Sequence, residues 1–186
     1  MKKRKMIPLL LSCCLLMATY AFAGDFTLTS PQIAEGKALD NEQVFNGFGC
    51  NGGNISPELH WSGEPTGTKS FGITVYDPDA PTGSGWWHWV VFNIPASTHS
   101  LAENSGSMES KLLPQGSIQS RTDFGTMAYG GACPPAKDSP HRYQFTVWAL
   151  DVDKIPLDEN ASAAMVGFFF HQHQLGRAEL TATYDR

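Results

Sequence analysis

The chain has 186 residues, with 13 Lys+Arg against 18 Asp+Glu and a formal net charge of −5. That length is the size of one ordinary domain. The acidic balance argues against a partner held by phosphate-backbone charge and against attachment to anionic lipid by charge alone, so no nucleic-acid partner is expected.

Residues 1–23 read as an export signal. Lys2, Lys3, Arg4 and Lys5 form a basic start, an apolar run "MIPLLLSCCLLMATY" follows, and Ala21 and Ala23 place small residues where a signal peptidase cleaves. Cleavage after Ala23 leaves residues 24–186 as a single domain with nine basic against 18 acidic residues, a net charge of −9. The apolar core is shorter than the ~20 residues that span a bilayer, so no stable membrane insertion is expected after cleavage. "LLSC" ending at Cys13 looks like a lipoprotein box, but the apolar run before it falls short of the usual length of about 7–15 residues. The expected location is the periplasm, with secretion as the alternative.

In chain order, "DFTLTS" (25–30) and "ELHWSG" (58–63) are weak strand candidates. "SFGITVYD" (70–77) is a strong one, with Phe71, Ile73 and Val75 on one face. "HWVVFNIP" (88–95) and "HRYQFTVWAL" (141–150) show the same period-two character and end in turn or breaker residues. One helix is predicted over residues 161–175, after a cap at Asn160 and through the apolar stretch "AAMVGFFF". A final strand, "ELTATY" (179–184), closes the domain. With 18 glycines and 12 prolines between these runs, the expected architecture is a mainly β sandwich or barrel.

Of four cysteines, Cys13 and Cys14 leave with the signal. Cys50 and Cys133 remain and, in an oxidising compartment, most simply form one disulfide. Such a bridge closes a loop of about 80 residues and contributes ~4–5 kcal/mol by chain-entropy arithmetic.

Two stretches carry candidate chemistry: "YDPDAPTGSGWWHW" (76–89) and "GGACPPAKDSPHRYQF" (130–145). His141 and Tyr143 alternate on one strand face, as do Trp86 and His88 on another, while Asp77 ends a strand and Asp79 lies in the following turn. Three chemistries compete for this set. A metal site has ligand types but no coupled histidine spacing. Hydrolysis by Ser84 with His88 as base lacks the GxSxG elbow and its strand–turn–helix context. A small anion or zwitterion pocket uses imidazole and phenol donors, a carboxylate that orients a ring, and rigid Pro and Trp walls. Elsewhere, His171 and His173 read as exposed helix polarity, since residues two apart on a helix face different directions. The "NIS" at Asn54 and "NAS" at Asn160 match a glycosylation triplet that is common by chance.

"DPDAP" followed by "WWHW", with "GACPPAKDSPHRY" downstream, resembles the paired signatures of the phosphatidylethanolamine-binding protein family. "GFGCNGGNISPELHWSG" and "AELTATY" fit its bacterial, Raf-kinase-inhibitor-like branch (YbhB/YbcL type), and the resemblance spans nearly all of residues 24–186. It implies an antiparallel Greek-key β-sandwich with a small C-terminal helical part, and a shallow pocket for a phosphate- or carboxylate-bearing group. Carried over by position, the pocket residues are Asp77, Ala80, Pro81, Trp86, His88, Cys133, Pro135, His141 and Tyr143. The resemblance also implies a cis Ala80–Pro81 peptide, and gives Asp79 and Arg142 a bracing role. Cys133 departs from the small residue of eukaryotic relatives, and its pairing with Cys50 is expected to stiffen the pocket wall.

The resulting expectation is an exported binding protein without catalytic turnover, metal or cofactor, present as a monomer or homodimer. Its partner is a small anion bound by His88 and His141, with Asp77 orienting an imidazole. If protonated rings carry the anion, affinity falls as the pH rises through roughly 6–7. The alternative is an interaction module that inhibits or modulates a phosphorylated or acidic protein partner. A hydrolase or metal enzyme is the third choice.

Overall fold

The computed structural model describes residues 25–186, so the expected signal, residues 1–23, lies outside the described residues. The elements are β1 (Thr27–Thr29), β2 (Asn46–Gly47), β3 (Cys50–Asn51), β4 (Leu59–Ser62), β5 (Ser70–Asp77) and β6 (Trp86–Pro95). They continue with β7 (Ser100–Leu101), β8 (Ile118–Gln119), β9 (His141–Leu150), α1 (Ala163–His173) and β10 (Gln174–Tyr184).

A five-stranded sheet has the order β10-β9-β5-β6-β8 and a three-stranded sheet the order β1-β4-β7, with β2 and β3 as a separate hairpin. The ladders within these sheets are antiparallel. In the large sheet β9 returns after β6 and β8 to lie beside β5, the spatial order of a Greek key. The expected mainly β, antiparallel sandwich with one small C-terminal helix is therefore the observed fold. Among the described residues no helix is long and apolar enough to cross a membrane.

The large sheet is buried on both faces. Phe71, Ile73 and Val75 join Trp89, Val91, Phe145 and Val147 in a core closed by Leu28, Leu59, Trp61 and Leu101 of the small sheet. On the other face Val90, Phe92, Trp148 and Leu150 pack against Ala163, Val166 and Phe170 of α1. Gly72 lies under that helix, where a Cβ would come within 2.1 Å of the Phe170 ring.

Two register shifts interrupt the β5–β6 ladder, between Phe71 and Ile73 and between Val75 and Tyr76. The first contains Asn93, in the left-handed region at φ 59. Its amide accepts from Ile155 N at 2.8 Å and donates to Ile155 O at 3.2 Å. The second sets Trp87 and Trp89 on opposite faces, Trp87 against the helix-side cluster and Trp89 in the core between the sheets. A bulge of this kind adds one residue to one strand and re-aims the side chains beyond it. A strict period of two would have placed both tryptophans on one face.

Element ends differ modestly from expectation. The helix is capped by Ser162, whose hydroxyl accepts from Met165 N at 3.2 Å. Asn160 is instead held in the preceding turn, its N–H donating to Asp158 Oδ1 at 2.9 Å. The last strand begins at Gln174, directly after the helix, because its pairing with β9 runs back to Leu150.

Candidate functional site

Three strand ends meet at one edge of the large sheet: the end of β5 and the starts of β6 and β9. Asp77 closes β5 and is 3 % exposed. Its Oδ1 accepts from Asp79 N at 2.8 Å and Ala80 N at 3.0 Å, an Asx turn that reverses the chain. The Tyr76 hydroxyl donates to Ser84 O at 2.8 Å and closes the same turn from outside. Gly85, at φ +69, sits where a Cβ would come within 2.2 Å of that hydroxyl. The turn holds Ala80, Pro81 and Thr82 against the cavity described below. No cis peptide occurs among the described residues, so the cis Ala80–Pro81 bond implied by the resemblance is corrected to trans. Trans is the lower-energy form even before proline, and the Asp77 bonds and Thr82 N–H donating to Ala80 O at 2.8 Å close the turn around it.

The other Asp77 oxygen, Oδ2, accepts from His141 Nδ1 at 2.7 Å, with both side chains 4 % exposed. The opposite ring nitrogen, Nε2, faces Asp138 Oδ2 at 3.5 Å. His141 is thus flanked by two carboxylates, and Asp77 orients it as expected.

His88 is held differently. Its Nδ1 lies 2.7 Å from Gly130 O, while Gly130 N donates to His88 O at 2.9 Å. A carbonyl can only accept, so Nδ1 carries the proton in that bond. The ring packs edge-on to Tyr143 and Phe124, with centroids 5.1 and 5.3 Å away. Burial pulls the His88 imidazole below its ordinary value, outweighing the opposing pull of the Gly130 carbonyl and Asp77. The expectation that a protonated His88 carries the anion is not what this environment favours. Burial likewise pushes the Tyr143 phenol upward, with Asp77 adding to the shift. The Tyr143 hydroxyl is fully buried and has no hydrogen-bond partner among the described residues.

The wall opposite comes from a cross-linked loop pair. Cys50 and Cys133 form a disulfide, with Cα atoms 6.0 Å apart, joining β3 to the loop before β9. The Arg186 guanidinium straps the same two segments by donating to Pro134 O at 2.6 Å and Phe48 O at 3.3 Å. Phe48 stands at the rim, 69 % exposed and stacked on Phe124, and Trp86 meets Phe124 edge-on.

These groups enclose a cavity of 210 Å³. All nine residues expected from the sequence line it: Asp77, Ala80, Pro81, Trp86, His88, Cys133, Pro135, His141 and Tyr143. Phe48, Thr82, Phe124 and Pro134 complete the lining and were not expected. Phe48 had a signal in its nearness to Cys50, whereas nothing in the sequence around Phe124 marks it. The Gly130 carbonyl was also missed, because backbone partners of a side chain are invisible before folding. Asp79 and Arg142 form a two-bond ion pair outside the cavity, at 2.9 and 2.7 Å, and the guanidinium holds the Asp79 carboxyl down at about 2. Ser84 lies exposed in the turn and does not line the cavity. No cluster of three or more His, Cys, Asp or Glu suited to a metal occurs among the described residues. Both Asp77 oxygens are already engaged by backbone N–H groups and His141. Asn54 is tied into the fold, its amide bonded to Tyr129 O and Gly131 N.

Comparison with known proteins places this geometry in context. The family profile described as phosphatidylethanolamine-binding protein matches residues 29–185. The chain is 52 % identical over 181 residues to the UPF0098 protein YbcL of Escherichia coli K12, covering 97 % of this chain and 99 % of that one. It is 54 % identical over 158 residues to the UPF0098 protein YbhB of the same organism, covering 85 % and 99 %. A putative lipoprotein, LppC of Mycobacterium tuberculosis, is 32 % identical over 163 residues, covering 88 % and 74 %. The crystal structure of E. coli YbcL, described as a new member of the mammalian PEBP family, superposes with a TM-score of 0.86 at 53 % identity, covering 88 % of this chain and 99 % of that one.

Proposed function

The chain belongs to the phosphatidylethanolamine-binding protein family, and on that premise we propose that it is an exported binding protein whose pocket takes a small anionic head group without turning it over. The observation that carries this reading is the convergence on one small, mostly apolar cavity of His88, His141 and Tyr143, whose buried hydroxyl has no hydrogen-bond partner among the described residues. Buried polar groups are normally satisfied, so a hydroxyl without a protein partner beside two imidazoles favours a ligand oxygen as its partner. The 210 Å³ volume suits a phosphate or carboxylate head better than a drug-sized molecule. Binding without chemistry is supported by the cysteine of the wall being tied up in a disulfide and by Ser84 lying outside the cavity. Export is supported by the basic and apolar start of the sequence and by the lipoprotein label of one relative.

The test is a titration of the protein with inorganic phosphate at pH 6, followed through the ring resonances of His88 and His141. Saturable shifts with a Kd of about 1 mM or tighter are expected, and they should disappear in His88→Ala. Rings that stay unperturbed well above that concentration would sink the pocket reading.

A second reading, docking of a protein carrying a phosphorylated or acidic group, draws on the exposed Phe48 and Met108. Both line a neighbouring groove, and Phe48 lines the pocket as well. A partner whose binding survives His88→Ala but not Phe48→Ser would favour it.

A further inference from the structure

Resting on the anion-pocket reading above, we propose that the pocket selects a phosphomonoester in its singly protonated form and rejects phosphodiesters. The ligand P–OH donates to His88 Nε2 and the Tyr143 hydroxyl donates to a phosphoryl oxygen. No proton changes owner, since the ligand keeps its acid proton while bound.

Geometry carries the first half. The Nδ1–H of His88 is committed to the Gly130 carbonyl, and Gly130 N–H returns a bond to the His88 carbonyl, so the ring is fixed from two sides. Nε2 makes no hydrogen bond among the described residues and is the nitrogen left to the cavity that His88 lines. In the neutral ring that nitrogen is a lone-pair acceptor and needs a donor from the ligand. Burial keeps the ring below its ordinary value, which favours that neutral form. A fully ionised phosphate has only acceptors to offer it.

Charge carries the second half. Among the described residues, no Lys or Arg lines the cavity. The charged and titratable groups facing His88 are Asp77 from β5, Asp123 from the loop after β8, and His141 and Tyr143 from β9. Asp138 stands on the far side of His141. A dianion would sit among these carboxylates without a compensating fixed cation, and low-dielectric walls increase that cost. A monoanion halves the repulsion and supplies the missing donor. Diesters are monoanions too, but have no proton to give, so they would leave Nε2 unpaired. The phosphate of a phospholipid that carries an alcohol head group is a diester, whereas free phosphomonoesters satisfy both requirements.

Three probes separate these cases in calorimetric titrations from pH 5.5 to 8.5. Methyl phosphate should weaken about tenfold per pH unit above its second ionisation, near pH ~6. Methylphosphonate, which ionises at higher pH, should show the same fall displaced upward. Dimethyl phosphate should bind at least ~10-fold more weakly than methyl phosphate at pH 5.5, the loss expected from one unpaired acceptor. A fall at the same pH for methyl phosphate and methylphosphonate would assign the titration to the protein and overturn the proposal, as would equal binding of the diester. Affinity that rises with pH would overturn it as well. If no probe binds at any pH, the anion-pocket reading itself fails. His88→Gln, whose amide can donate as well as accept, should narrow the gap between methyl and dimethyl phosphate. An unchanged gap in a variant with a normal melting curve would count against His88. Should that variant not fold, the wild-type titrations decide alone.

Discussion

Single side chains at this site trade stability against recognition. Tyr143 is the clearest case: the residue is 1 % exposed in the core, yet its hydroxyl finds no partner among the described residues. A buried hydroxyl left unbonded costs roughly 1–3 kcal/mol. Tyr143→Phe is therefore expected to leave stability unchanged or raise it by up to ~1 kcal/mol, while phosphate binding weakens several-fold. Paired urea melts and phosphate titrations check this, and a variant that loses stability but binds normally would show the hydroxyl to be structural. Asp77 works the other way, since each of its oxygens already has a use, one shaping the turn and one orienting His141. Residue types and strand alternation raised Asp77, His88, His141 and Tyr143 as a candidate set, and the family resemblance selected it as an anion pocket. They did not reveal that His88 Nδ1 is held by the Gly130 carbonyl, which leaves Nε2 as the ring nitrogen on the cavity side.

At the scale of elements, sequence periodicity located β5 and β9 to the residue, because an unbroken alternation fixes both the face and the length of a strand. It misjudged β6, where two register shifts break the period and part Trp87 from Trp89. The α1 contact with the sheet depends on Gly72, under the Phe170 ring. Gly72→Ala forces that ring away from the sheet and should destabilise the fold by about 1–3 kcal/mol, the usual cost of overpacking. Phosphate affinity should be unaffected, because α1 covers the sheet face that includes Trp148 and Phe92, and none of its residues lines the cavity. Equilibrium unfolding together with one binding titration checks both statements. Wild-type stability in the variant would mean that the helix shifts without cost.

Across the whole molecule, the Cys50–Cys133 bridge joins segments 83 residues apart and also forms part of the pocket wall. Replacing both cysteines by serine should lower stability by ~4–5 kcal/mol, the loop-closure entropy the bridge removes from the unfolded chain. Phosphate should then bind more weakly, because the Phe48 rim loses its covalent tie to the opposite loop and is held there by the Arg186 strap and the Phe45 N–H bond to Ala132 O. Chemical denaturation and phosphate titration of the double variant test this, and unaltered affinity would make the bridge a staple with no part in the pocket. The sequence by itself determined the mainly β class, the strong strands, the cysteine pair and the two signature stretches. Each of these rests on local alternation, on residue chemistry or on order along the chain. Tertiary structure alone decided which partner holds each imidazole, that Phe48, Thr82, Phe124 and Pro134 complete the lining, and that the Ala80–Pro81 turn closes in trans. Those outcomes depend on backbone groups and side chains brought together from distant segments, and no local pattern encodes such contacts.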